Sequence, residues 1–164
     1  MSISQDLYRE LRKAGLDFFM SVPCKFTAEI IALLEKDKSI IYTPVNREEE
    51  GMGIAAGAYM AGKKPCIVMQ NSGLGNGINA VCSLLNYYSL PVVFLISHRG
   101  TEMEKVEAQK PMGKATPALL DTIDIPYIIF KDKKQISTLK TIIQKSFADE
   151  VSLAILLPPE FWSS

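Results

Sequence analysis

Four places in this chain gather side chains able to hold a ligand or move a proton. At Glu48-Glu49-Glu50 three carboxylates follow one another where a helical pattern begins. Acidic groups there oppose the positive end of the helix dipole, and Asn46 with Glu49 three residues on has the spacing of a capping box. The helix continues Gly51-Met52-Gly53-Ile54-Ala55-Ala56-Gly57-Ala58, with three glycines in seven residues, each costing about 1 kcal/mol relative to alanine. A helix that forgoes this stability presents a smooth surface, as a subunit interface over a buried carboxylate requires. The second place is Gln70-Asn71-Ser72-Gly73-Leu74-Gly75-Asn76-Gly77, which follows the apolar run Cys66-Ile67-Val68-Met69 and precedes a helical pattern from Ile78. It reads as strand, glycine turn and helix start, with free N–H groups facing whatever lies above the sheet edge. By itself it has neither dinucleotide nor P-loop spacing, so a ligand-holding turn and a plain connection are both open.

The third place is Ser97-His98-Arg99-Gly100. His98 is the only histidine, which excludes a histidine-rich metal site or a two-histidine relay within the chain. With Arg99 and Lys25 it forms a cationic corner suited to an anionic group, the alternative being ordinary surface charge. The fourth is Cys24, near a helix start where a thiol pKa can fall. No second histidine or ordering carboxylate can be assigned to it, so it reads as a packed loop residue.

The elements that position these residues follow from hydrophobic periodicity. Apolar, β-branched runs at Phe18–Val22, Ile40–Val45, Cys66–Met69, Val92–Ile96, Tyr127–Phe130 and Leu153–Leu157 predict six buried strands. Helical patterns over about Ile3–Ala14, Thr27–Lys36, Glu48–Ala61, Ile78–Tyr88, Pro117–Ile123 and Lys133–Asp149 alternate with them. Alternation of this kind predicts right-handed crossovers and one three-layer α/β/α domain, 1–164, around a six-stranded, mainly parallel sheet. Ligands in such domains sit at the carboxyl ends of strands, where all four clusters lie. The polar connection after Gly100, with Gln109, Met112 and Gly113, has the length of a lid.

Composition limits the function classes. The chain has 164 residues, 48% hydrophobic and 22% charged, with eighteen basic and eighteen acidic side chains. That balance offers no footprint for nucleic acid. No apolar run reaches the ~20 residues of a membrane helix, and Met1 to Arg9 lack the apolar core of a signal peptide, so a cytoplasmic location is expected. Three scattered cysteines, Cys24, Cys66 and Cys82, make neither a disulfide framework nor a metal site.

Asn46-Arg47-Glu48-Glu49-Glu50-Gly51-Met52-Gly53-Ile54-Ala55-Ala56-Gly57 together with Met69-Gln70-Asn71-Ser72-Gly73-Leu74-Gly75-Asn76 resembles the thiamine diphosphate-dependent 2-oxo-acid decarboxylases, specifically their pyrimidine-binding domain. The likeness runs from Val22-Pro23-Cys24 through Ser97-His98-Arg99-Gly100 to Thr116-Pro117. Within the family it is nearest to the sulfopyruvate decarboxylases in their alpha chain, with the phosphonopyruvate decarboxylases next.

The resemblance implies that a glutamate hydrogen-bonds the pyrimidine N1′ of thiamine diphosphate and so assists loss of the thiazolium C2 proton. Matching Ala55-Ala56-Gly57 to the family's small-residue helix gives that role to Glu48. Matching Ala58-Tyr59 to its glycine-tyrosine step gives it to Glu49, the second choice because capping already occupies Glu49. The resemblance further implies cofactor contacts by Gln70, Asn71, Ser72, Gly73, Leu74 and Gly75, and recognition of a small anionic 2-oxo acid by Lys25, His98 and Arg99. The family's Gly-Asp-Gly motif, which holds a divalent metal on the cofactor's phosphates, does not occur in this sequence. The resemblance therefore implies a beta subunit carrying the diphosphate-binding domain and Mg2+, in an assembly of at least two alpha and two beta chains. It places the reaction, 3-sulfopyruvate to sulfoacetaldehyde and CO2, in coenzyme M biosynthesis in methanogens. A phosphonopyruvate decarboxylase subunit, a non-catalytic α/β binding or regulatory subunit, and a flavodoxin-like phosphate-binding domain are the other readings.

Overall fold

A computed structural model describes residues 2–163. Its elements run α1 Ile3–Lys13, β1 Phe18–Ser21, α2 Ala28–Lys36, β2 Ile41–Pro44, α3 Glu48–Met60, β3 Pro65–Gln70, α4 Asn71–Ala80, β4 Val93–Ser97, α5 Lys110–Thr122, β5 Tyr127–Ile129, α6 Leu139–Ala148, β6 Leu153–Leu157 and α7 Pro159–Trp162. The six strands form one sheet in the order β2-β1-β3-β4-β6-β5, and every neighbouring pair is parallel. Position in the sheet accounts for sequence character. The interior strands β4 and β6 are buried at every residue, whereas the edge strands β2 and β5 are half-exposed.

Alternate residues of each strand feed opposite cores. Cys66, Val68, Val93 and Leu95 pack with Leu7, Leu34, Ile143 and Phe161 from α1, α2, α6 and α7. Ile67, Met69, Phe94 and Ile96 pack with Met52, Leu74 and Leu120 from α3, α4 and α5. Leaving the sheet, the chain therefore turns to one face after β1, β5 and β6 and to the other after β2, β3 and β4. Neighbouring strands send their chains to opposite faces on both sides of β1 and again between β4 and β6. At such partings the strand ends leave crevices in which ligands are held.

Several boundaries depart from the periodicity. The glycine segment is not a turn: Gln70 is the extended N-cap (φ −87°, ψ 155°), and Asn71–Ala80 is already helix, followed by a π-helical turn over Val81–Asn86. None of Gly73, Gly75 and Gly77 has a positive φ, so these glycines serve close approach rather than chain reversal. Helix α5 begins at Lys110, not at Pro117, which lies inside it. The lid-length connection thereby shrinks to 98–109. The stretch over Lys133–Asp149 divides into a 3-10 segment, Lys133–Thr138, and α6. At α3 the N-cap is Arg47, without a side-chain cap. The Asn46 N–H donates to Glu50 Oε2 at 3.0 Å, so the reach-back expected of Glu49 is made by Glu50.

Candidate functional site

Glu48 opens α3 beside β1 and points at α4. It is only 7% exposed, a burial that a carboxylate tolerates when hydrogen-bonded. Its Oε2 accepts from Asn76 Nδ2 at 3.4 Å, and no donor among the described residues reaches Oε1. The glycines of α4 explain how the carboxylate fits. A Cβ on Gly73 would stand 2.3 Å from Glu48 Cγ and Oε1, and one on Gly77 would stand 2.2 Å from Met52 Cε. Glycines four apart on α4 thus receive Glu48 and Met52, four apart on α3. Glu49 lies differently. Its Oε1 pairs with Arg47 Nε at 2.7 Å, and its Oε2 is buried without a partner.

The remaining residues of the glycine segment divide by direction. Gln70, ending β3, donates from Nε2 to Ser72 Oγ and to Gln109 Oε1, both at 3.0 Å, while Cys24 Sγ lies 3.8 Å from its Oε1. This amide joins the loop after β1, the start of α4 and the end of the 98–109 connection. Asn71 is fully buried. Its Nδ2 donates to Arg99 O and Thr116 Oγ1, each at 3.0 Å, and its Oδ1 accepts from Arg99 N at 3.2 Å. Leu74 belongs to the core, whereas Ser72 and Gly75 are exposed, Gly75 facing Met112.

Lys25, His98 and Arg99 do not share one corner. The Arg99 guanidinium donates to Glu104 through Nε at 2.5 Å and a terminal nitrogen at 2.8 Å, and it stacks 5.1 Å from the Phe26 ring centroid. Glu104 also accepts from the Gly100 and Val106 amides. The Arg99 bond, foremost among these, holds its carboxyl at about 2. Lys25 is exposed in the same cleft as Arg99 and has no ion-pair partner among the described residues. His98 is 3% exposed and lines a different cavity. Its Nε2 lies 3.0 Å from Gly113 O. A carbonyl only accepts, so Nε2 carries the proton and Nδ1 is left as a buried acceptor without a donor. Pro117 accounts for that bond, because it lacks the N–H that would claim the carbonyl four residues back in α5. Burial pushes the His98 pKa down and keeps the ring neutral.

Sequence reasoning missed Gly77, Glu104 and Thr116 as parts of this arrangement. The signal for Gly77 was present in the four-residue spacing shared with Gly73. Glu104 and Thr116 act through contacts 5 and 45 residues away, which no local pattern announces. Among the described residues no group of three or more His, Cys, Asp or Glu could hold a metal ion, and no helix is long and apolar enough to cross a membrane. A buried carboxylate with one open oxygen, over a cradle that a methyl group would fill, is suited to share a proton with a planar ring nitrogen.

Comparison with known proteins gives the family and the fold. Residues 1–123 match the family described as thiamine pyrophosphate enzyme, N-terminal TPP binding domain. Sulfopyruvate decarboxylase subunit alpha of Methanococcus maripaludis is 44% identical over 99% of this chain and 98% of its own length. Phosphonopyruvate decarboxylase of Streptomyces viridochromogenes is 36% identical over 77% of this chain and 32% of its own length. Among solved structures, the thiamine diphosphate-dependent 4-hydroxybenzoylformate decarboxylase of Rhodococcus jostii RHA1 superposes with a TM-score of 0.74 at 16% identity, over 99% of this chain and 31% of that one. That likeness is one of fold.

Proposed function

Because the chain belongs to the thiamine pyrophosphate enzymes through their N-terminal TPP binding domain, and to the sulfopyruvate decarboxylase alpha subunits, we propose that it is the pyrimidine-side half of a two-chain carboxy-lyase converting 3-sulfopyruvate to sulfoacetaldehyde and CO2. The observation that carries the reading is the Glu48 carboxylate, buried against Gly73 with Oε1 open. Those residues fit the aminopyrimidine of thiamine diphosphate. When bound, the cofactor supplies the nucleophilic carbon and the electron sink that let the substrate carboxylate leave as CO2.

The chain's own residues then have separable tasks. Glu48 Oε1 holds a proton against N1′, and Asn76 keeps the carboxylate oriented by donating to Oε2. Gly73 leaves the space in which that carboxylate stands. Gln70, bonded to Ser72 and Gln109, closes the crevice beside β1 against water. Asn71 and Leu74 hold the start of α4 from behind. With Arg99 committed to Glu104, Lys25, which has no ion-pair partner among the described residues, is the cation assigned to the sulfonate. Assignment of the diphosphate and Mg2+ to a beta chain rests on the name of the Methanococcus relative and on the length of the longer decarboxylases, of which this chain matches about a third. An assembly of at least two alpha and two beta chains and a step in coenzyme M biosynthesis belong to the same proposal, through the family resemblance of the sequence.

The test is CO2 release from sulfopyruvate and from phosphonopyruvate by the chain reconstituted with its candidate partner, thiamine diphosphate and Mg2+. Activity in the mixture alone, with sulfopyruvate preferred, is the expected result. Glu48→Gln should lower turnover by about 10²–10⁴-fold, the usual worth of positioned proton transfer, while Glu49→Gln retains it. Full activity of Glu48→Gln in a complex that binds cofactor would overturn the mechanism.

A further inference from the structure

A second opening lies at the other parting of the sheet. Between β4 and β6 the strand ends leave a cavity of about 720 Å³, within the range of roughly 300–1,000 Å³ typical of small-molecule sites. His98 and Thr101 beyond β4, Lys131 beyond β5, Glu160 beyond β6 and Lys114 of α5 form its walls, with Ile129 as an apolar surface. None of the residues around Glu48 lines it.

The chemistry of the walls is divided. Lys114 and Lys131 come from different elements and have no ion-pair partner among the described residues, whereas Lys110 spends its charge on Glu107 at 2.6 Å. The same walls carry acceptors. Glu160 takes one hydrogen bond, from Thr101 Oγ1 to Oε2 at 3.2 Å, and its other oxygen has no donor among the described residues. His98 lines the same wall, with its Nδ1 buried and without a partner and its tautomer set by Gly113 O. Glu102 adds an exposed carboxylate at the rim. A bare anion would satisfy the lysines and be repelled by Glu160. A molecule joining an anionic oxygen cluster to hydroxyl donors would satisfy both sets.

We propose that this cavity binds a hydroxyl-bearing phosphate ester of sugar-phosphate size, its phosphate on Lys114 and Lys131 and its hydroxyls on Glu160 and the His98 side. The site is separate from the decarboxylation centre and does not depend on the reading of Glu48.

His98, the only histidine of the chain, makes the test specific. Selective ¹⁵N-histidine labelling gives one ring to follow by NMR in the full chain, titrated at constant ionic strength with ribose 5-phosphate, inorganic phosphate or ribose. Ribose 5-phosphate should shift the ring resonances saturably and bind about tenfold or more tightly than inorganic phosphate, because the hydroxyl contacts add to the ionic ones. Lys114→Gln with Lys131→Gln should weaken binding by about tenfold or more while leaving the ligand-free ring resonances in place. Glu48→Gln should bind like the wild type, so failure of the decarboxylase reading leaves this result intact. No saturable shift would overturn the site, as would wild-type binding by the double variant. Equal affinity for phosphate and ribose 5-phosphate would overturn the ester assignment.

Discussion

Gly73→Ala isolates the seat of Glu48 from the fold around it. The added methyl would meet Glu48 Cγ and Oε1 at 2.3 Å and Cδ at 2.4 Å, against roughly 3.5–4.0 Å for an ordinary carbon contact. The carboxylate must therefore retreat by at least about 1.2 Å, the difference between 3.5 and 2.3 Å. Such overpacking costs about 1–3 kcal/mol, and alanine returns up to about 1 kcal/mol in helix propensity. The net loss of about 0–2 kcal/mol leaves a domain of ordinary stability folded. Catalysis is less forgiving, since a misplacement of about 1 Å costs on the order of 10²-fold. Gly77→Ala is the control: its methyl meets Met52 Cε at 2.2 Å and Sδ at 2.5 Å, but a flexible thioether end can swing aside. Steady-state CO2 release by the assembled complex, with urea unfolding of each variant, separates the two effects. The expected pattern is a loss of about 10²-fold for Gly73→Ala and of no more than about threefold for Gly77→Ala, at similar unfolding midpoints. Equal activities for the two variants would refute the assignment of the seat.

Three further outcomes can be measured. Asn71→Leu removes a fully buried amide, leaves Arg99 O without its donor, and takes one of two hydrogen bonds each from Arg99 N, which keeps Ser97 O, and from Thr116 Oγ1, which keeps Met112 O; urea denaturation should show a loss of about 1–3 kcal/mol, and an unchanged midpoint would contradict the bonding described. The Glu104 carboxyl sits at about 2 in the fold against 4.5 ordinarily, so its stabilisation is complete above about pH 4.5 and disappears as pH falls through about 2. Glu104→Gln should accordingly be less stable than wild type at pH 7, by a margin that shrinks across that window; a margin independent of pH would speak against the Arg99 pairing. Gly53→Ala and Gly57→Ala add methyls that meet nothing within 4 Å, and each should raise the thermal midpoint of the full chain by the equivalent of about 1 kcal/mol; a lower midpoint would show that face to be closed within the chain.

The layers and sheet were legible because buried parallel strands leave continuous apolar runs. Cys66–Met69 and Leu153–Leu157 needed no knowledge of their neighbours, although strand order did. Helix starts were less legible where glycine carried two meanings. In Asn71–Gly77 the same residues fit a reversing turn or a helix pressed on a neighbour, and only the positions of Glu48 and Met52 decide between them. Pro117 misleads in the opposite way: it reads as a helix start, yet it sits within α5, where its missing N–H leaves Gly113 O to His98. The proximity of Glu48 to the glycine segment was readable from the family pattern. The separation of His98 from Lys25 was not, because adjacent residues at a strand end can enter different cavities.

The place of β6 in the sheet order bears on how the chain is made. β6 lies between β4 and β5, although it is translated after both. Until Leu153–Leu157 leaves the ribosome, β5 has no strand to join and β4 offers an open apolar edge. Sheet completion thus waits for Leu153–Leu157, through pairings such as Val93 with Leu153 that close a long loop late. A nascent chain halted before Leu153 would be a ready substrate for chaperones and proteases, and a tag or fusion at the carboxyl end would report on molecules that have already passed this point.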